Sequence, residues 1–358
     1  MDFSLLMESA LTRWGEPAVL LAIGACTGLL FGLAAQRSRM CTRAAVLECC
    51  EGRPGMRLAI WALALGGVMA GAQLLVAAGA LQPLKSRFMD ATGSLSGALL
   101  GGLLFGAGMV FTRGCASRLL VLGASGNLRA WVSGLVFAMV VQSSISGWLA
   151  PARRAIASGW LVDGGASRDL LQAVGLPRQA GIALACLTLA GALWFFLKQR
   201  ERRPGLLIGA LACGLALTAA WGLTQAVASQ SFEVVTIQSL SYSNASAEWL
   251  MRFLGHAGAP AWGFEAGLIP GTFAGALLGA LWGREFRIEG FQTEHHVLRY
   301  VGGAALMGFG AVLAGGCTVG AGLGGSAIFA LTAWLTLLAI WVGAAISWRL
   351  HRALGWQA

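Results

Sequence analysis

The chain has 358 residues, 57% of them hydrophobic and only 11% charged, with a mean hydropathy of +0.72 and a formal net charge of +10. That leaves too little polar surface for a water-soluble globule of this length, so composition assigns the chain to the membrane. Its 52 glycines against 8 prolines suit closely packed membrane helices, and its eight cysteines, with no CxxC spacing and no cleavable secretory signal, exclude a disulfide-stapled exported domain and predict free thiols.

Apolar runs of about 18 to 23 residues can cross a hydrocarbon core of about 30 Å. In chain order they fall at residues 17–35, 58–80, 93–111, 128–149, 179–197, 204–223, 264–282, 297–314 and 326–348. The expectation is an all-α integral membrane protein of about nine transmembrane helices. Two interior stretches, 150–178 and 224–263, are polar enough to read as surface segments with short amphipathic helices, and the run Ser241-Tyr-Ser-Asn-Ala-Ser246 is given no chemistry. Basic loops stay on the cytoplasmic side. With the N-terminus outside and the C-terminus inside, 17 of the 25 basic residues fall inside, although Arg153, Arg154, Arg168 and Arg178 share one outside loop.

An internal repeat is visible. Aligning Gly101–Cys115 on Gly303–Cys317 without a gap matches Gly101, Leu104, Gly106, Gly108, Val110, Gly114 and Cys115 with Gly303, Leu306, Gly308, Gly310, Val312, Gly316 and Cys317. The two copies start at the third and eighth spans, an odd number apart, so they enter the membrane from opposite sides. This predicts an inverted repeat, with residues 1–150 and 204–358 as halves and 151–203 as a connecting segment and linker helix. Inverted-repeat transporters place substrate where the halves meet, on broken helices whose amides face an anion. The apolar run stops abruptly at Thr112-Arg-Gly-Cys115, and it dissolves into glycines after Cys317. Irregular backbone at membrane depth survives only when buried in protein or lining a cavity, so both segments are expected to dip inward as short re-entrant or broken helices and line one path. Cys41 follows the first span and has no partner in the repeat alignment.

Three cysteine-bearing stretches, Arg39-Met-Cys41-Thr-Arg-Ala, Thr112-Arg-Gly-Cys115-Ala-Ser-Arg-Leu-Leu and Gly315-Gly-Cys317-Thr-Val-Gly, resemble the motifs of the YeeE/YedE family of membrane proteins over essentially the whole chain. The resemblance implies inner-membrane uptake of thiosulfate or a related sulfur-containing anion, passed along thiols by S–H···S contacts at Cys41, Cys115 and Cys317. Arg113, Gly114, Gly316 and Thr318 are its neighbours in those motifs. It also implies a small soluble sulfur-carrier protein on the cytoplasmic face, expected at the arginine-rich first loop. No cofactor, metal or nucleic-acid partner is expected.

The chemistry stands independently of the resemblance. A dianion with a soft terminal sulfur needs donors weak enough to release it, and a neutral thiol is one; a thiolate would repel it, and apolar surroundings keep a thiol protonated. Arg39, Arg43, Arg113 and Arg118 would attract the anion at the mouth. A potential of 100 mV, negative inside, opposes entry of a dianion by about 4 to 5 kcal/mol, so net uptake requires proton coupling, a gradient or consumption inside. Cys26, Cys186 and Cys213 read as apolar filler, Cys49 and Cys50 as a vicinal surface pair, Arg113 as a functional or interfacial arginine, and His295 with His296 as a poor metal pair. Two rival classes remain: a membrane thiol oxidoreductase or sulfurtransferase using the same cysteines as nucleophiles, and a non-transporting scaffold or sensor.

Overall fold

Each apolar run becomes a helix. The structure is a computed structural model that describes residues 3–255, 261–290 and 294–353. Its helices are α1 (Phe3–Trp14), α2 (Glu16–Ser38), α3 (Thr42–Cys50), α4 (Met56–Ala77), α5 (Leu95–Phe111), α6 (Ala116–Ala124), α7 (Leu128–Ile145), α8 (Ala150–Ala157), α9 (Leu170–Ala173), α10 (Arg178–Lys198), α11 (Pro204–Gln230), α12 (Tyr242–Phe253), α13 (Phe264–Trp282), α14 (Glu294–Leu313) and α15 (Leu331–Ala353). A π-helical turn covers Gly320–Gly325, and two-residue strands β1 (Gly93–Ser94) and β2 (Leu161–Val162) pair antiparallel. Eight helical stretches are long and apolar enough to cross a membrane, and α14 adds the shorter apolar stretch Val297–Leu313. The protein is thus an all-α multi-pass membrane protein. Large apolar side chains such as Leu187, Trp194, Ile208 and Leu215 stand exposed on its flanks, which only a lipid surround accommodates.

Two boundaries differ from the sequence expectation. The last long helix starts at Leu331 rather than at residue 326, because the π turn is followed by a reversal at Phe329, whose φ is +59°. The stretches 150–178 and 224–263 are not simply surface: α11 runs on to Gln230, Arg168 and Asp169 are buried, and so are Ser241, Tyr242 and Ser243. Hydrogen bonds replace water for these polar groups. Arg168 Nη2 donates to Thr332 Oγ1 at 2.6 Å, and Arg178 Nη2 to Asp169 Oδ2 at 3.0 Å.

The packing repeats itself. Apart from α4 with α10, the principal helix partners are α2 with α13, α4 with α11, α5 with α15, and α7 with α14, while α5 packs on α14 and α2 on α11. Exchanging α2 with α11, α4 with α13, α5 with α14 and α7 with α15 turns this set of pairs into itself. Small residues make the closest approach possible. Gly24, Gly28 and Gly32 of α2 lie against the α13 backbone at Phe264, Leu268 and Thr272, while Gly267, Gly271 and Gly275 of α13 lie against the α2 backbone at Leu21, Ala25 and Leu29.

Loops gather at two ends in the alternation that successive crossings require. At one end Arg39 Nη2 meets Glu285 Oε1 at 2.7 Å, and Arg129 Nη2 meets Glu289 Oε2 at 2.9 Å. At the other, Arg87 Nη1 donates to Gln238 Oε1 at 3.0 Å and Gln73 Nε2 to the Ala327 carbonyl at 2.8 Å.

Candidate functional site

Four long helices are each followed by a break and a short helix: α2 by α3, α5 by α6, α11 by α12, and α14 by the π turn. Cys41, Cys115 and Ser241 are the N-cap residues of α3, α6 and α12, and Cys317 stands just before the π turn. In three of the breaks the residue two before the cysteine adopts a left-handed conformation, with φ of +54° at Arg39, +59° at Arg113 and +76° at Gly315. Glycine adopts this region freely, but arginine does not. Strain of this kind persists where the surroundings fix it and is concentrated at functional sites.

The breaks converge. Cys115, 3% exposed, has its Sγ 3.4 Å from Ser117 Oγ, and close by the Thr318 hydroxyl is buried without a hydrogen-bond partner. Cys41, partly exposed, is within electrostatic reach of Cys115. Cys317 is fully buried, and its Sγ accepts from the Gly320 N–H at 3.5 Å. Tyr242, 1% exposed, lies within electrostatic reach of Cys115 and Cys317, and its hydroxyl is 2.9 Å from Thr272 Oγ1. The structure therefore brings Cys41, Cys115, Thr318 and Cys317 into one cluster. Gly114 belongs to the turn itself, its carbonyl accepting from Thr112 Oγ1 at 2.8 Å, and Gly316 packs closely on Ala321. Arg113 is half-buried beside the cluster, near Arg43 and Arg299, so its side chain adds to a basic rim.

A basic approach leads to the cluster from one end. Arg118 lies within reach of Cys41 and Cys115 on one side and of Arg39 and Arg57 on the other. Beyond it opens a cavity of about 680 Å³ lined by Arg37, Arg39, Arg57, Arg200, Arg202 and Arg203, with Glu201 and Glu285 the acidic residues. Partial burial works against ionisation of Glu285, but the hydrogen bond and charge of Arg39, with Gln36 and Arg37 adding to them, outweigh it and hold the carboxyl below its usual range. Glu285 thus clamps Arg39, the left-handed residue of the first break.

The remaining cysteines lie elsewhere or play other parts. Cys26, Cys49 and Cys186 are exposed and Cys50 is partly so, while Cys213 is buried near Ser38. The side chains of His295 and His296 lie outside the described residues. Sequence reasoning missed Ser117, Tyr242 and Ser241, and did not connect the α10–α11 arginines with the first break. One signal was available: Ser-Tyr-Ser-Asn in an otherwise apolar chain has the composition of a helix start.

Comparison with known proteins agrees with this architecture. The Sulphur transport family matches residues 37–346. Over 344 residues the chain is 26% identical to a protein of Spirochaeta thermophila named thiosulfate transporter TsuA, covering 92% of this chain and 98% of that one. Over 348 residues it is 24% identical to a protein of Escherichia coli K12 with the same name, covering 89% and 91%. These names describe transporters, which sets aside the oxidoreductase and sulfurtransferase readings. With four broken helices meeting at three thiols and a family match over most of its length, the chain belongs to the Sulphur transport family, as a transporter and not an enzyme.

Proposed function

We propose that this protein takes up thiosulfate across the bacterial inner membrane, along a path lined by Cys41, Cys115 and Cys317. The observation that carries the reading is the convergence of thiols from three separate breaks, Cys115 and Cys317 buried and Cys41 partly exposed near Cys115. The N-terminus lies outside and the C-terminus inside, so the arginine-lined cavity is the cytoplasmic mouth and the anion passes Cys317, Cys115 and Cys41 in turn. Residues 1–150 and 204–358 form the two sides of the path, and 151–203 joins them.

Each thiol donates S–H to the terminal sulfur of the anion, and uncapped amides at the starts of α3 and α6 face its charge. Arg113 adds charge to the rim, Gly114 and Gly316 let the backbone turn beneath the thiols, and the buried Thr318 hydroxyl, with no hydrogen-bond partner in the protein, donates to the anion. Donors of this strength hold the substrate without trapping it. A small soluble sulfur carrier, by the reading of the motifs, receives the substrate at the arginine-lined mouth.

Uptake of labelled thiosulfate into proteoliposomes tests the reading. Wild type is expected to accumulate the label and Cys115→Ala to lose most of that uptake. Folded wild-type protein with no uptake of thiosulfate would overturn it.

A further inference from the structure

Three of the four breaks present a thiol, and the fourth presents Ser241. The exchange that relates the helix pairs sends α3 to α12 and α6 to the π turn. The lesser contacts obey it too: α7 with α12 answers α15 with α3, and α13 with α6 answers α4 with the π turn. Ser241 at the head of α12 therefore corresponds to Cys41 at the head of α3. This is the repeat partner that direct sequence alignment does not supply.

The surroundings of Ser241 match those of the thiols. Its Oγ is 3.4 Å from Ser243 Oγ, the same spacing in sequence and in space as Cys115 Sγ to Ser117 Oγ. It is 2% exposed and lies against Gly320, where an added Cβ would come within 2.7 Å of Ser241 Oγ. The Gly320 N–H is the donor to Cys317 Sγ. Ser241 thus neighbours the residue that donates to Cys317.

A second observation concerns what this serine does not do. Serine at an N-cap ordinarily accepts a hydrogen bond from the first-turn amides, as Ser94 does for α5. Ser241 makes no such bond to the amides of α12. A buried helix start whose own capping residue leaves the amides open is arranged for an outside acceptor, and an anion is the natural one.

Resting on the transport reading above, we propose that Ser241 is a fourth substrate-contacting residue, whose hydroxyl and neighbouring α12 amides hold a sulfonate oxygen of the anion as it enters from the outer side. An O–H group is a stronger, harder donor than S–H and suits oxygen, while the thiols suit the terminal sulfur. The path would then select its substrate at both ends: oxygen at Ser241, sulfur at the cysteines.

The test measures binding of labelled thiosulfate to the detergent-purified full chain and its uptake into proteoliposomes, for wild type, Ser241→Ala, Ser241→Cys and Cys115→Ala, with unlabelled sulfate as competitor. Loss of a hydrogen bond to a charged group predicts that Ser241→Ala weakens thiosulfate binding by about tenfold or more. Ser241→Cys should fall between the two and show weaker competition by sulfate relative to thiosulfate than wild type. The proposal is overturned by Ser241→Ala binding like wild type, by Ser241→Cys as poor as Ser241→Ala, or by an unchanged sulfate-to-thiosulfate ratio. If Cys115→Ala abolishes uptake while Ser241→Ala changes nothing, only this inference fails; if wild type neither binds nor transports thiosulfate, both fail.

Discussion

Replacing Gly28 by alanine tests how tightly α2 and α13 are joined. The new Cβ would lie 2.6 Å from the Leu268 carbonyl oxygen and 3.0 Å from the Thr272 amide nitrogen. Ordinary contact for carbon begins near 3.5 Å, so the helices must part by about 0.9 Å. Both obstacles are backbone, which does not swing aside as a side chain does. Overpacking of this kind costs about 1–3 kcal/mol. The displacement also reaches the cluster, because the Thr272 hydroxyl bonds to Tyr242. In a thermal-unfolding assay on detergent-purified protein, Gly28→Ala should unfold several degrees below wild type, and its uptake should fall. The control is Gly134→Ala in α7, where nothing lies within 4 Å of the added carbon; there the gain in helix propensity, about 1 kcal/mol, should leave stability equal or higher. Equal behaviour of the two variants would refute the close-contact argument.

Arg113→Gly should keep or raise stability by relieving a left-handed arginine yet lower uptake, while Arg113→Lys, which keeps both the charge and the strained φ, should keep wild-type stability and most of the uptake; measuring both separates the turn from the charge. The Glu285 carboxyl is held below its ordinary value of 4.5, so its pair with Arg39 contributes in full above that pH and is lost as pH falls through the lowered value. Wild type should therefore exceed Glu285→Gln in stability above about pH 4.5, by less than about 1 kcal/mol because the pair is partly exposed, and the difference should close at lower pH in an acid-unfolding titration. With Cys26, Cys49, Cys50 and Cys186 replaced and the buried cysteines kept, a membrane-impermeant maleimide should label Cys41 only from the arginine-lined side, and thiosulfate should slow the labelling; labelling only from the other side would reverse the proposed orientation.

The eight long apolar helical stretches and the shorter one in α14 were legible because hydropathy over about 20 residues is a strong, local signal. Cys115 and Cys317 could be paired because Gly-Cys ends both copies of a gapless match. Ser241 was hidden for two physical reasons. Its neighbours are polar and so imitate a surface loop, although hydrogen bonds such as Tyr242 to Thr272 satisfy them inside. Its break is also built differently, with residues 231–241 separating α11 from α12 where only three residues separate α2 from α3. The left-handed turns at Arg39 and Arg113 were equally out of sight, since arginine carries no signature of positive φ. The 680 Å³ cavity joins arginines from 37 to 203, a grouping that only the folded chain makes.

The reciprocal glycine stripes of α2 and α13 tie one half of the molecule to the other over several turns, backbone against backbone. A joint of that kind behaves as a weld, not a hinge. Transport by rocking one half against the other would have to tear it open and expose packed backbone in every cycle. The expectation from this packing is a frame that stays fixed while small groups move within it. A covalent cross-link between α2 and α13 should accordingly leave thiosulfate uptake intact, where it would stop a rocking carrier.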